Sequence, residues 1–248
     1  MRETSMESSL RTLKLLEAVV RDGAHSSVAA LARDVHIPVA TAHRHITTLV
    51  GAGYLVPAGY GRHLPGPRLH ELAGFLDTKL MMANAARPIL DRLAKRMHCV
   101  AQLGIFESDM VTYLVKSGPS AGDLFTKVGM QLEAYCSGIG KVLLAHLPED
   151  ARSEYLQAGP FIALTERTIT DPDLLGAELQ QVSRTGFAVD DEEVGAGLQR
   201  IAVPVRNGEG EVTAAISASR ATQTDSRQWQ AKHLPHLQNA AQQIGAMI

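Results

Sequence analysis

The periodicities of this 248-residue chain predict an α+β protein in two unequal parts: a short helical module closed by a β-hairpin, and a larger domain mixing strands and helices. Three observations carry that prediction. Apolar residues recur at helical spacing as far as Leu49 and again after Pro67. From His98 onward, short strand-like runs bounded by Gly, Asp and Asn alternate with further helical stretches. Charge is also divided unevenly. Up to His70, Arg2, Arg11, Lys14, Arg21, Arg33, Arg44, Arg62 and Arg68 outnumber Glu3, Glu7, Glu17, Asp22 and Asp34, whereas the remainder is net acidic. An electropositive module on an acidic body is what a nucleic-acid reader with a separate regulatory domain shows.

Composition narrows the class. No apolar run approaches the roughly 20 residues of a membrane span, and Met1 to Leu10 lacks the apolar core of a secretory signal, so a cytoplasmic protein with no membrane partner is expected. Cys99 and Cys136 are too few and too isolated for a disulfide framework. His98, Cys99, Cys136 and His146 follow no metal-ligand spacing, and the expectation is no metal and no cofactor.

The first helix is predicted from Ser9 to Arg21, capped by Ser8 or Ser9, with Leu10, Leu13, Leu15 or Leu16, Val19 and Val20 as its buried stripe and Asp22-Gly23 as its stop. A second, shorter one runs from Ser27 to Val35 on Val28, Leu31 and Val35. A tight turn at His36 and Ile37 leads to a third, which Pro38 can open and which Gly51 and Gly53 end. Ala42, Ile46 and Leu49 turn inward, leaving Ala40, Thr41, His43, Arg44 and Thr47 on a polar, cationic outer face. Two short helices so closely joined read as a helix-turn-helix whose second helix enters the major groove. Tyr54 to Val56, a turn at Pro57 to Gly61, and Arg62 to Leu64 form a hairpin the size of a wing, with Arg62 placed for backbone or minor groove. Arg44 can pair with guanine or clamp a phosphate, and the residues alone leave both open.

Pro65-Gly66-Pro67 breaks the chain before a helix predicted from Arg68 to Met82, whose seam of Leu69, Leu72, Phe75 or Leu76, and Leu80 suits pairing with a second copy. Another helix is expected from about Asn84 to Met97, with Pro88 in its first turns. Val100 to Phe106 and Met110 to Lys116 form a hairpin, and Leu124 to Val128 is a third strand. Ser137 to Leu147 is a helix whose Gly-rich start can hold an anion. Helices from Pro148 and from Thr170-Asp171-Pro172 to Thr185 follow, then strands over Phe187 to Asp190, Leu198 to Val205 and Val212 to Ser219, and a final helix from Ser226 to Ile248.

These residues bring a family into view. IPVATAHRHITTL followed by GYLV, HLPGPRLHELA after the wing, YCSGIGKVLLAHLP, GFAVDDEE, GLQRIAVPVRNGEGEV and AAISAS occur in an order and spacing that resembles the IclR-type bacterial transcription regulators over nearly the whole length. The resemblance implies a winged helix-turn-helix over 1–67, a linker helix over 68–83 and a GAF- or PAS-like α+β effector-binding domain over 84–248. It also implies homodimers or dimers of dimers on double-stranded operator DNA, with a small organic acid as effector. Two departures stand out. Arg200 replaces the family's cysteine before the IAxP stretch, and Glu133 and Ala134 replace a proline and a leucine.

Strand alternation puts Arg200 and Ala202 on one face, opposite Ile201 and Val203, and gives Ser217 and Ser219 a shared face. If these faces line one concavity, Arg200 can hold a carboxylate, Ser217 and Ser219 can donate to it, and Ser137 and Gly138 stand opposite. Phe125, Met130, Tyr135 and Leu198 would supply apolar lining. The competing reading pairs Arg200 with Asp190, Asp191 or Glu192 and fills the pocket from within. The expected function is a ligand-responsive DNA-binding regulator acting on a palindromic operator. An enzyme built on the α+β domain is the alternative, but no nucleophile with a base, and no paired catalytic carboxylates, can be picked out.

Overall fold

The computed structural model describes residues 2–119, 124–222 and 226–248, and it divides into two compact units, Met1–Asp77 and Thr78–Ile248, each with its own core.

The first unit holds α1 (Arg2–Asp22), α2 (Val28–Asp34), α3 (Val39–Gly51), the hairpin β1 (Leu55–Gly59) and β2 (Arg62–Pro65), and α4 (Pro67–Gly74). Ser27 caps α2 by accepting from the Ala30 N–H. His36 takes a left-handed φ of 55°, which closes the four-residue turn, Val35 to Pro38, between α2 and α3. Leu15, Val19, Leu31, Ala42, Ile46, Leu49 and Leu55 form the core. Helix α1 begins well before Ser9, so Ser8 and Ser9 lie inside it. Its buried stripe is also narrower than the spacing predicts: Leu15 and Val19 are buried, while Leu10, Leu13 and Val20 face outward. The wing is tied back by the Val28 N–H, which donates to Gly61 O at 3.1 Å. At its base a Cβ on Gly66 would stand 2.4 Å from Gly53 O, so only glycine permits the crossing.

The second unit is a six-stranded sheet of β3 (Val100–Glu107), β4 (Met110–Ser117), β5 (Gln131–Glu133), β6 (Ala188–Asp191), β7 (Leu198–Arg206) and β8 (Val212–Ala221), all antiparallel in the order β5-β4-β3-β8-β7-β6. Helices α5 (Thr78–Met97) and α9 (Ser226–Gly245) cover one face through Leu90, Leu93, Leu103, Ile201, Ile216 and Leu237. The other face carries α6 (Gly138–Ala145) and α8 (Pro172–Thr185), with α7 (Glu149–Gln157) packed outside them.

Two expectations are corrected here. The helix predicted over Arg68–Met82 is not continuous: α4 closes at Gly74 with the Phe75 and Leu76 N–H groups turned back on Leu72 and Ala73, and α5 starts afresh at Thr78. Gly74 weakens helix there, and within its own unit the α4 seam finds no cover, Phe75 being 78% exposed. Pro88 consequently lies well inside α5, not in its first turns. Leu124–Val128 is not a strand either. The carbonyls of Leu124 and Thr126 accept from Lys116 Nζ, so a side chain takes the place of a ladder partner, and the outer strand is Gln131–Glu133.

Candidate DNA-binding face and effector site

On α3 the structure leaves Ala40, His43, Arg44 and Thr47 exposed and Thr41 half-exposed, while Ala42, Ile46 and Leu49 go to the core. Burial follows the helical period, and the outward set is continuous along one side. Thr47 and Thr48 hydroxyls donate to the carbonyls of His43 and Arg44, one turn back along the helix. The Arg44 guanidinium makes no hydrogen bond or ion pair with the described residues. His45, the one polar residue of α3 that is buried, bonds through Nδ1 to Thr12 Oγ1 at 2.9 Å and so fastens α3 to α1. Burial pushes its imidazolium below the ordinary range. Arg62 is exposed on the wing. Beside it burial, then His43 on α3, disfavours the His63 imidazolium.

In the second unit the sheet face under α6 carries the polar residues. Cross-strand register aligns Asp190, Arg200, Ser219 and Val100 in one row, and Ala202, Ser217 and Gln102 in the next. Neighbours in an antiparallel sheet share a face, so Arg200, Ser217 and Ser219 are brought together. Arg200 and Asp190 are both buried, 4% and 0% exposed, and Arg200 Nη1 donates to Asp190 Oδ2 at 2.5 Å. The internal ion pair thus exists, but it uses one end of the guanidinium. Arg200 Nη2 and Ser219 Oγ are buried without a partner among the described residues.

The start of α6 roofs this face. Ser137 caps it by accepting from the Gly140 N–H at 3.0 Å. A Cβ on Gly138 would stand 3.3 Å from Ala202 Cβ, so the helix N-terminus rests directly on β7. Tyr113, hydrogen-bonded to Ser137, has its hydroxyl pushed up to about 12, chiefly by burial. Gln102 Nε2 donates to Thr126 Oγ1 at 2.9 Å, which brings the 124–126 segment over the second row.

Behind Asp190 lies a second buried pair. Asp190 Oδ1 accepts from the Glu193 N–H at 2.8 Å, and Lys141 Nζ, 1% exposed, donates to Glu193 Oε1 at 2.5 Å. Burial raises the Glu193 carboxyl to about 7 despite Lys141 beside it. Between the unfolded carboxyl's range near 4.5 and about 7 the folded state therefore binds a proton that the unfolded state releases, and stability falls as pH rises across that window by about 3 kcal/mol. Glu193→Gln should abolish this slope, which melting temperatures of both proteins from pH 4.5 to 8 will show.

Not every expected residue arrives. Tyr135 is buried away from Arg200: its hydroxyl donates to Ile162 O at 2.7 Å and its ring lies 4.8 Å from Phe161, in a separate cavity of about 390 Å3 with Glu133 and Tyr155. Phe125 is 46% exposed, and Met130 is half-buried beside the β5 edge. Leu198 does line a cavity, with Ser219. Sequence reasoning overlooked Gln102, Lys141 and Glu193. A Gln at an inward strand position and a Lys inside GIGKVLLA were the signals for the first two. Cys99 and Cys136 sit in different cores, both thiols pushed up to about 12 by burial.

A helix-turn-helix with its wing, joined in sequence to a sheet domain holding a buried, half-satisfied cation, defines a ligand-responsive DNA-binding regulator. Comparison with known proteins agrees. Residues 8–59 match the IclR helix-turn-helix domain and residues 77–246 the bacterial transcriptional regulator IclR C-terminal model. The chain belongs to the IclR family of bacterial transcription regulators. It is 32% identical over 216 residues to the Pca regulon regulatory protein of Pseudomonas putida, covering 86% of this chain and 74% of that one. With the transcriptional repressor IclR of Escherichia coli it shares 27% over 219 residues, 86% of this chain and 80% of that one. An IclR homolog from Microbacterium hydrocarbonoxydans, crystallised with 4-hydroxybenzoate, superposes with a TM-score of 0.64 at 29% identity, covering 97% and 98% of the two chains. No helix among the described residues is long and apolar enough to cross a membrane.

Proposed function

We propose that the protein is a cytoplasmic regulator binding a palindromic operator as a homodimer or dimer of dimers, and that a small organic acid held at Arg200 and Ser219 controls it. One observation carries the effector reading. Two buried polar atoms, Arg200 Nη2 and Ser219 Oγ, belong to cross-strand neighbours and have no partner among the described residues, and leaving such atoms unpaired costs about 1–3 kcal/mol each. A carboxylate supplies what both lack: one oxygen for the guanidinium nitrogen and one acceptor for the hydroxyl. The solved relative with 4-hydroxybenzoate is itself a complex with such an acid. Ala40, Thr41, His43, Arg44, Thr47 and Arg62 are the proposed DNA contacts. The exposed apolar residues Leu72, Phe75 and Leu76 of the first unit and Leu80 and Met81 of the second suit contact with another copy. Since no ligand can shift a population without preferring one state, the acid must bind the DNA-bound and DNA-free forms unequally.

The test combines ligand and DNA. Wild type and Arg44→Ala are screened by thermal shift against aromatic and aliphatic carboxylic acids, and titrated with operator fragments. A specific acid should raise the melting temperature of both proteins in a concentration-dependent way, while Arg44→Ala weakens operator binding at least tenfold. Unchanged operator affinity with an intact fold removes Arg44 from the interface. Failure of every acid on a protein that still binds its operator removes the carboxylate.

A further inference from the structure

We infer that the effector is an elongated acid whose tail occupies a cavity at the end of the sheet, beyond Ser219, with His233 as the hydrogen-bonding group at its far end. This rests on the acid reading and specifies it. The cavity measures about 610 Å3 and is walled by Met97, Val100, Leu124, Leu198 and Trp229, with Ser219 and His233 among its polar residues beside His98 and Arg220, whose guanidinium lies on the Trp229 ring. That is the size of a site for a drug-sized body, well beyond a single ring. Its near end is fixed by Ser219, 2% exposed, which is both a wall of the cavity and the cross-strand neighbour of Arg200. Ser219, its buried hydroxyl without a partner among the described residues, is thus the residue that the Arg200 site and the cavity share.

The far end is equally specific. His233 Nδ1 is buried with no partner among the described residues. Burial, followed by the charges of Lys232, His236 and Arg220, disfavours its imidazolium form, which suits the ring to an uncharged polar group. Trp229 is 7% exposed, its ring stacked by the Arg220 guanidinium at 4.6 Å and flanked by His233 at 5.4 Å, which makes it a rigid wall. Cys99, its thiol pushed up to about 12 by burial, adds apolar surface and no charge. A cation-side head group, an apolar body and a neutral polar tip are the three parts the lining selects.

Calorimetric titration of the full chain with benzoate, phenylacetate, 3-phenylpropanoate and 4-phenylbutanoate tests this. Affinity should rise by about a factor of four for each added methylene buried. Ala221→Trp, which narrows the cavity two residues beyond Ser219 on β8, should keep benzoate binding and flatten the rise. A 4-hydroxyl on the ring of the longest acid should strengthen binding to wild type about fivefold and not to His233→Leu. A flat series in wild type, or a rise that Ala221→Trp leaves intact, overturns the tail compartment while the acid reading stands. Absence of binding by every acid instead overturns the acid reading itself.

Discussion

Replacing Arg200 with Met is expected to destabilise the protein by about 3–5 kcal/mol and to abolish the response to acid. The carboxylate of Asp190 is fully buried, one oxygen held by Arg200 at 2.5 Å and the other by the Glu193 N–H at 2.8 Å. Removing the guanidinium strands a desolvated charge, which costs more than the intact pair contributes. The double variant Asp190→Asn with Arg200→Met should therefore recover most of the lost stability, because it removes both charges together. It should recover none of the acid response, since the nitrogen that faces the ligand stays absent. Urea unfolding of the four proteins in a mutant cycle separates the two effects. A cost below about 1 kcal/mol for Arg200→Met would show that Asp190 is solvated and that the site is open.

The second large effect belongs to Gly140. A Cβ built there lies 2.0 Å from Ala134 O and 2.5 Å from its Cα, and both are backbone atoms that no rotamer change can move. Gly140→Ala should cost more than the roughly 1–3 kcal/mol of ordinary overpacking and should displace the N-terminus of α6 from the sheet. The acid-dependent thermal shift should disappear with it. Gly176→Ala in α8 supplies the contrast: its Cβ would meet only Leu156 Cδ1, at 3.5 Å, and better helix propensity should stabilise by about 0.5–1 kcal/mol. Opposite signs for two glycine-to-alanine changes, read by chemical denaturation, would separate close approach from intrinsic helix propensity.

Local rules made much of this architecture legible. Periodicity located α2, α3, the wing and the hairpin of β3 and β4, and alternation put Arg200 with Ala202 on one face of their strand and Ser217 with Ser219 on one face of theirs; that the two faces coincide comes only from the register of β7 against β8. It could not say that Asp190, ten residues earlier, would be the cross-strand partner of Arg200, because that depends on the register of β6 against β7. Nor could it foresee that Tyr135 turns away to Ile162, since the 158–165 segment has no period to read. The break at Phe75 and Leu76 was hidden for the opposite reason. Their spacing continues a helical stripe, and what stops the helix is the missing partner surface within the unit, a tertiary fact. Lys141 shows the same limit, its cost being bearable because Glu178 and Glu193, 37 and 52 residues away in sequence, both reach it.

The fastening of the first unit bears on how DNA would be read. Thr12 holds His45, Gly61 is held by Val28, and Gly66 crosses Gly53 at a distance that admits no side chain, so α3 and the wing are already in place before any operator arrives. Binding then sacrifices little conformational entropy, since no segment of the described reading head must fold on the duplex. A head of this kind adapts poorly to a distorted site, and the duplex must do the bending. Discrimination between operators would consequently register the stiffness of each sequence as well as the base edges it presents, including at positions no side chain touches.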